Sequence, residues 1–194
     1  ATGDGNHHAL FIYMILLNVG MAVLAYFKNW KVINILSFFF TVLIFGSWAT
    51  IKTFENQLPF ADALTYATAF FTIFFIMNIV YNVTKQVKFK AWEYIILLMN
   101  TFAYFGAGLY ILDQVADGMY KGLFTGIVGL FHFMFAFALY KKDKLDKNLV
   151  YTLIGMVLTF ITLAAPIQLN GNFITLFWAA EAVVLLWMSQ RTKI

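Results

Sequence analysis

Cysteine is absent from this 194-residue chain. That removes disulfides, thiolate metal sites and thiol nucleophiles together, and leaves the redox compartment unread. Charge is scarce: Asp, Glu, Lys and Arg make up 11% of the residues, against roughly 25% in ordinary soluble domains. The common catalytic signatures are missing. There is no glycine-rich phosphate loop, no His-Glu-x-x-His metal motif and no serine nucleophile elbow. The last apolar run carries no lysine, which excludes a retinal Schiff base of the usual seven-helix type. An initiator methionine is missing as well. The opening "ATGDGNHH" is what a fragment of a longer polytopic protein, or a processed or tagged chain, would show. His7 and His8 within it read more simply as a tag remnant or loop than as a weak metal pair. No metal and no cofactor are therefore expected.

What the chain has instead is apolar mass. Hydrophobic residues reach 62%, and Phe alone occurs 23 times. A soluble fold of this length lacks the polar surface to cover so much, so its natural solvent is a bilayer. A helix needs about 20 apolar residues to cross the hydrocarbon, and lipid forces backbone groups to pair internally. Seven runs qualify: Ala9–Phe27, Val32–Thr50, Leu64–Val83, Glu93–Leu112, Gly122–Tyr140, Leu149–Ala165 and Phe173–Gln190. The first is too long for a signal-peptide core and has no basic flank before it. The expected fold class is all-α, a polytopic transmembrane bundle of about seven spans over residues 1–194. An apolar helix, a basic turn and a returning helix recur at roughly 9–50, 64–112 and 122–165, a pattern that ordinary polytopic chains also produce.

The basic residues orient this bundle. Only Lys52 and Lys121 fall on the side that holds the N-terminus; the other eleven of the 13 fall on the opposite side, at Lys28, Lys31, Lys85, Lys88, Lys90, Lys141, Lys142, Lys144, Lys147, Arg191 and Lys193. The positive-inside rule then puts the N-terminus outside and the C-terminus in the cytoplasm. It also explains the net charge of +4 without nucleic acid, since lysines at this depth meet lipid headgroups. Trp30 and Trp92 beside the lysines, and Trp48 and Tyr110 on the other side, are placed as interface anchors.

Few residues could carry chemistry inside the membrane. Glu181 lies in the middle of "TLFWAAEAVVLLWM". A carboxylate in hydrocarbon costs at least a few kcal/mol, so the neutral acid, facing other helices, is the expected state. Its neighbours one turn away are Phe177, Trp178, Val184 and Leu185, so its partner must come from another helix. Ala179, Ala180 and Ala182 allow close approach. His132 is the partner expected from depth, with Gly126, Gly129 and Ala136 on its face. Asn100, with Ala103 and Ala107 near it, and Asn18 are mid-span amides. For His132 and the two amides interhelical hydrogen bonding is the simpler role; for Glu181 function and structure weigh equally. "GLFTG" (Gly122 to Gly126) is a common small-residue pattern. Asp113, Asp117, Glu55 and Asp62 on the N-terminal side are more simply solvated loop acids than a cation or sugar surface.

The segment "APIQLNGNFITLFWAAEAVVLLWMSQR" (Ala165 to Arg191) resembles a recurrent element of a bacterial family known as domain of unknown function 2339, predicted polytopic membrane proteins. The resemblance runs through Pro166, Gly171, Trp178, Ala179, Glu181, Trp187 and Arg191. "ALFIYMILLNVGMAVLAYFKNWKVINILSFFFT" (Ala9 to Thr41) is similar to that family's hairpin. The resemblance implies a multi-pass bacterial inner-membrane protein, part of a chain with more spans, and supplies no activity.

Two readings follow. One is a non-catalytic transport-related or envelope-assembly scaffold module, whose partners are the bilayer and further transmembrane helices. The other is a membrane enzyme acting on a lipid-linked substrate, with Glu181 and His132 as proton carriers. Convergence of the polar residues on a cavity favours the second; isolated hydrogen-bonded pairs favour the first. The orientation is directly testable. Single cysteines introduced at Asn6, Asn148 and Lys193 are expected to react with an impermeant thiol reagent in intact cells only at position 6. Labelling of Asn148→Cys from outside would overturn the topology.

Overall fold

A computed structural model describes residues 6–28, 31–140, 146–169 and 171–192. It is helical: α1 (His7–Lys28), α2 (Lys31–Phe54), α3 (Phe60–Lys85), α4 (Ala91–Asp113), a 3₁₀ turn at Ala116–Gly118, α5 (Lys121–Tyr140), α6 (Lys147–Gln168) and α7 (Asn172–Thr192). There is no strand among the described residues. Each helix coincides with one of the seven apolar runs. Trp30, Lys141, Lys142, Lys144 and Lys193 of the topology argument lie outside the described residues, as do the side chains of Lys28, Lys31 and Arg191.

Among the described residues six helices, α1 to α6, are long and apolar enough to cross a membrane, and α7 carries an apolar stretch over Asn172–Trp187 that includes Glu181.

The side-chain distribution on α5 identifies its solvent. Leu123, Ile127, Leu130, Phe133, Met134 and Phe137 are each more than half exposed, whereas the buried face mixes Gly122, Thr125, Gly129, His132 and Ala136 with Phe124, Val128 and Leu139. A helix whose outer face is large and apolar, and whose small and polar residues are inside, is the reverse of a soluble one, and hydrocarbon is the medium that accepts it.

Sharp turns end several of the helices. Asn56 ends α2 with φ 52°, and Gln57 N–H returns to the Lys52 carbonyl at 2.9 Å, a left-handed cap in which Asn substitutes for Gly. Gln86 closes α3 in the same way, with its N–H on the Asn82 carbonyl. Gly171 precedes α7 with φ 54°, a conformation that suits glycine.

The chain forms two compact units that divide after Ile111. The first holds α1, α2, α3 and most of α4, together with Asp146. Its centre is aromatic: Phe11 is fully buried against Phe45, Trp48, Tyr66 and Phe70. Phe71 and Tyr104 stack at 4.4 Å, and the Tyr104 hydroxyl meets Thr68 Oγ1 at 2.9 Å.

The second unit holds α5, α6 and α7. Its α5–α6 interface depends on small residues. A Cβ at Gly129 would lie 3.3 Å from Phe160 Cβ, and Gly122 donates its N–H to Gln168 Oε1 at 3.0 Å. Gly126, expected on the packed face with His132, is exposed, with open space where its Cβ would be. The buried positions are 122, 124, 125, 128, 129, 132, 136 and 139, and position 126 falls about 100° off residue 125. Gly129→Leu should therefore overpack the interface and lower stability in detergent by about 1–3 kcal/mol. Gly126→Ala should be neutral or slightly stabilising. Equal melting temperatures for the two variants would refute this assignment of faces.

Candidate functional site

Glu181 sits half-buried on α7 and accepts a hydrogen bond from Thr162 Oγ1 of α6 at 2.5 Å. The acid therefore takes its partner from another helix, but the partner is a threonine and not His132. Trp178, one turn earlier, donates its indole N–H to the Thr162 backbone carbonyl at 3.5 Å. That carbonyl is special, because Pro166 occupies the position four residues on, inside α6. Proline has no N–H to close the usual i to i+4 bond, and its ring crowds the carbonyl of the preceding turn. An acceptor left in this way inside a membrane needs a substitute donor, and Trp178 supplies one. Pro166, Trp178 and Glu181 thus all act on one residue, Thr162, which no sequence argument singled out.

The other candidates are placed separately. His132 is fully buried, its Nδ1 2.8 Å from the Val128 carbonyl of its own helix. A carbonyl can only accept, so Nδ1 carries a proton. Its ring packs on Phe160 at 5.5 Å. In the first unit Asn18 donates to Thr41 Oγ1 at 2.9 Å, joining α1 to α2. Asn100 donates to the Phe71 carbonyl at 3.0 Å, joining α4 to α3. The described hydrogen bonds of Asn18 and Asn100 lead to different residues, as do those of His132 and Glu181. The loop acids also find local partners: Glu55 pairs with Lys52 at 2.5 Å, and Asp113 with Lys121.

Sequence reasoning missed a polar cluster in the first unit. Glu93 is 3% exposed. Its Oε2 accepts from Asn82 Nδ2 at 2.8 Å and from Lys90 N–H at 2.6 Å, and Asn78 donates to its backbone carbonyl at 2.9 Å. The bond to Lys90 is half of a capping box, the third helical residue reaching back to the residue before the helix. Asp146 Oδ2 braces the same turn from Phe89 N–H and Tyr94 Oη, at 3.0 and 3.1 Å. The spacing of Lys90 and Glu93 was the available signal, but the capping residue is Lys and not the usual Ser or Thr. Beside this cluster lies a cleft of about 340 Å³ lined by Tyr26, Asn34, Asn78, Asn82 and Trp92 among apolar side chains. Asn34 Oδ1 is buried there with no hydrogen-bond partner among the described residues. A second cleft, about 290 Å³, is almost wholly apolar and includes Thr41, Asn100 and Tyr104.

Long apolar helices, outward apolar faces and internally paired polar groups define a polytopic helical membrane protein. The particular family follows from comparison: the chain belongs to the family described as predicted membrane protein (DUF2339), whose match spans residues 1–194. No curated protein and no solved structure matches it.

The Thr162 arrangement predicts a specific coupling. Trp178→Phe removes the substitute donor and should cost about 1 kcal/mol. In a Pro166→Ala background the restored N–H satisfies the carbonyl, and Trp178→Phe should then cost measurably less. Identical losses in both backgrounds, by thermal unfolding in detergent, would show that the indole does not serve this carbonyl.

Proposed function

We propose that the chain is a non-catalytic transmembrane module of a larger bacterial inner-membrane protein, crossing the membrane seven times with its N-terminus outside, and serving transport or envelope assembly as a scaffold. The observation that carries this reading is the separate pairing of the interior polar residues. Asn18, Asn100 and Glu181 each bond to a different neighbouring helix, and His132 bonds within its own. Groups spent in this way hold helices together. A reaction centre needs them turned toward a shared substrate position.

The transport-related form of the proposal draws support from the cleft at Asn34, Asn78 and Asn82, where the Asn34 oxygen, without a partner among the described residues, offers an acceptor to a passing polar group. The partners are the bilayer and further transmembrane helices, with no role for nucleic acid. The sparse burial of α7, none of whose described side chains is buried, supports helix partners on that side. The alternative, an enzyme acting on a lipid-linked substrate through Glu181 and His132, requires proton exchange between two residues whose hydrogen bonds lead to Thr162 and Val128.

Glu181→Gln, His132→Gln and the double variant separate these readings. The amide keeps an acceptor for Thr162, so Glu181→Gln should be nearly neutral for thermal stability in detergent. The double variant should be additive to within about 0.5 kcal/mol. Strong coupling, or a stable Glu181→Gln that abolishes the protein's contribution in its host, would sink the scaffold reading.

A further inference from the structure

The first turns of α1 and α3 bring together three metal-ligating side chains that the scaffold reading does not use. His7 Nε2 lies 3.1 Å from Asp62 Oδ2, and His8 Nε2 lies 3.4 Å from the same oxygen. The potential ligand atoms of the three residues all fall within 4.8 Å of one another. His7 and His8 are therefore not loop residues: both belong to α1, and the family match covers them.

The distances suit a shared ion. Zinc bonds to His nitrogen and carboxylate oxygen are about 2.0–2.2 Å long, so neighbouring ligand atoms in a tetrahedral site lie about 3.3–3.5 Å apart. The two observed separations are close to that edge. A second observation concerns orientation. His8 Nδ1 is 2.8 Å from the Tyr66 hydroxyl, and a ligating imidazole almost always engages a partner through its other nitrogen. His7 is held by a different contact, its ring lying 5.2 Å from Trp48 and 6.3 Å from Phe11. His7 and Asp62 are only partly exposed, while His8 opens to the surroundings.

We propose that His7, His8 and Asp62 form a binding site for a divalent transition ion of the Zn²⁺ class, which ties the start of α1 to the start of α3. Two imidazoles and a carboxylate are the borderline and hard donors that such an ion accepts. Three protein ligands leave the fourth tetrahedral position to water or to an incoming ligand. The same geometry without an ion would be two imidazole N–H groups sharing one carboxylate oxygen, and experiment distinguishes the two.

The whole chain, purified in detergent through an affinity tag other than polyhistidine and stripped with chelator, is titrated with Co²⁺ as the spectroscopic probe. One equivalent should give the intense visible absorption of tetrahedral cobalt, and one equivalent of Zn²⁺ should abolish it. His7→Ala, His8→Ala and Asp62→Asn should each weaken binding at least tenfold, with Glu55→Gln as an unaffected control. Zn²⁺ should raise the melting temperature of the parent chain and not that of Asp62→Asn, a comparison that stands even if the His variants fold poorly. A weak octahedral spectrum, or binding unchanged across the three ligand variants, would establish the metal-free cluster and overturn the proposal.

Discussion

Hydrocarbon neither donates nor accepts a hydrogen bond, and the polar side chains of these helices are arranged around that fact. A carbonyl that would take a water molecule in a soluble protein must here find a donor on the chain itself. The threonines show the commonest solution. Thr50, Thr65, Thr68, Thr72, Thr152 and Thr159 each return the hydroxyl proton to the carbonyl four residues back, so a polar side chain adds no unmet demand. Asn18 and Asn100 cannot satisfy themselves in that way and bond across to neighbouring helices. These two amides tie α1 to α2 and α4 to α3 within the first unit.

The same solvent removes the usual reason for helices to associate. Apolar side chains gain nothing by leaving lipid for one another, so packing must come from close fit and from polar contacts. The two units meet this need differently. The second uses small residues, with Gly122 against Gln168 and Gly129 against Phe160. The first uses aromatic rings that interlock at angles, Phe11 meeting Trp48 edge-on with centroids 4.8 Å apart. Ring–ring geometry of this kind adds to area alone, which gives the abundance of Phe a packing role beside its lipid-facing one.

Much of this was legible in the residues because the bilayer imposes a length. A run of about 20 apolar residues has one inexpensive conformation in lipid, and all seven runs became helices. Glu181 stood out because its type conflicts with its surroundings. Its partner did not, since Thr162 looks like any other membrane threonine until α6 and α7 are side by side. Glu93 was hidden for the opposite reason: an acid at a helix start reads as an ordinary interface residue, and only its burial shows it bonded to Asn82. Gly126 was assigned to the wrong face because a helix turns about 100° per residue, and spacing alone did not decide between the rows on either side. His7 and His8 were read as tag or loop because their partner, Asp62, is far along the chain, 55 residues from His7.

The spacing of Pro166, Gly171, Trp178 and Glu181 has a physical reading. Proline at position 166 deprives the carbonyl at 162 of its donor, because helical bonds join residues four apart. Trp178 and Glu181 are three apart and so share one face of α7, which lets both reach the same residue on α6. The indole meets the backbone of Thr162 and the carboxyl meets its hydroxyl. Gly171, with its positive φ, lies in the turn between them and sets how far along α7 that face begins. One residue added to this turn would rotate Trp178 and Glu181 by about 100° around the helix, away from Thr162. The Thr162 carbonyl would then be deprived of its substitute donor, and Glu181 of its hydroxyl partner. The element therefore reads as a mutual dependence: the proline creates a deficit, the tryptophan meets it, and the acid secures the side chain of the residue that carries it.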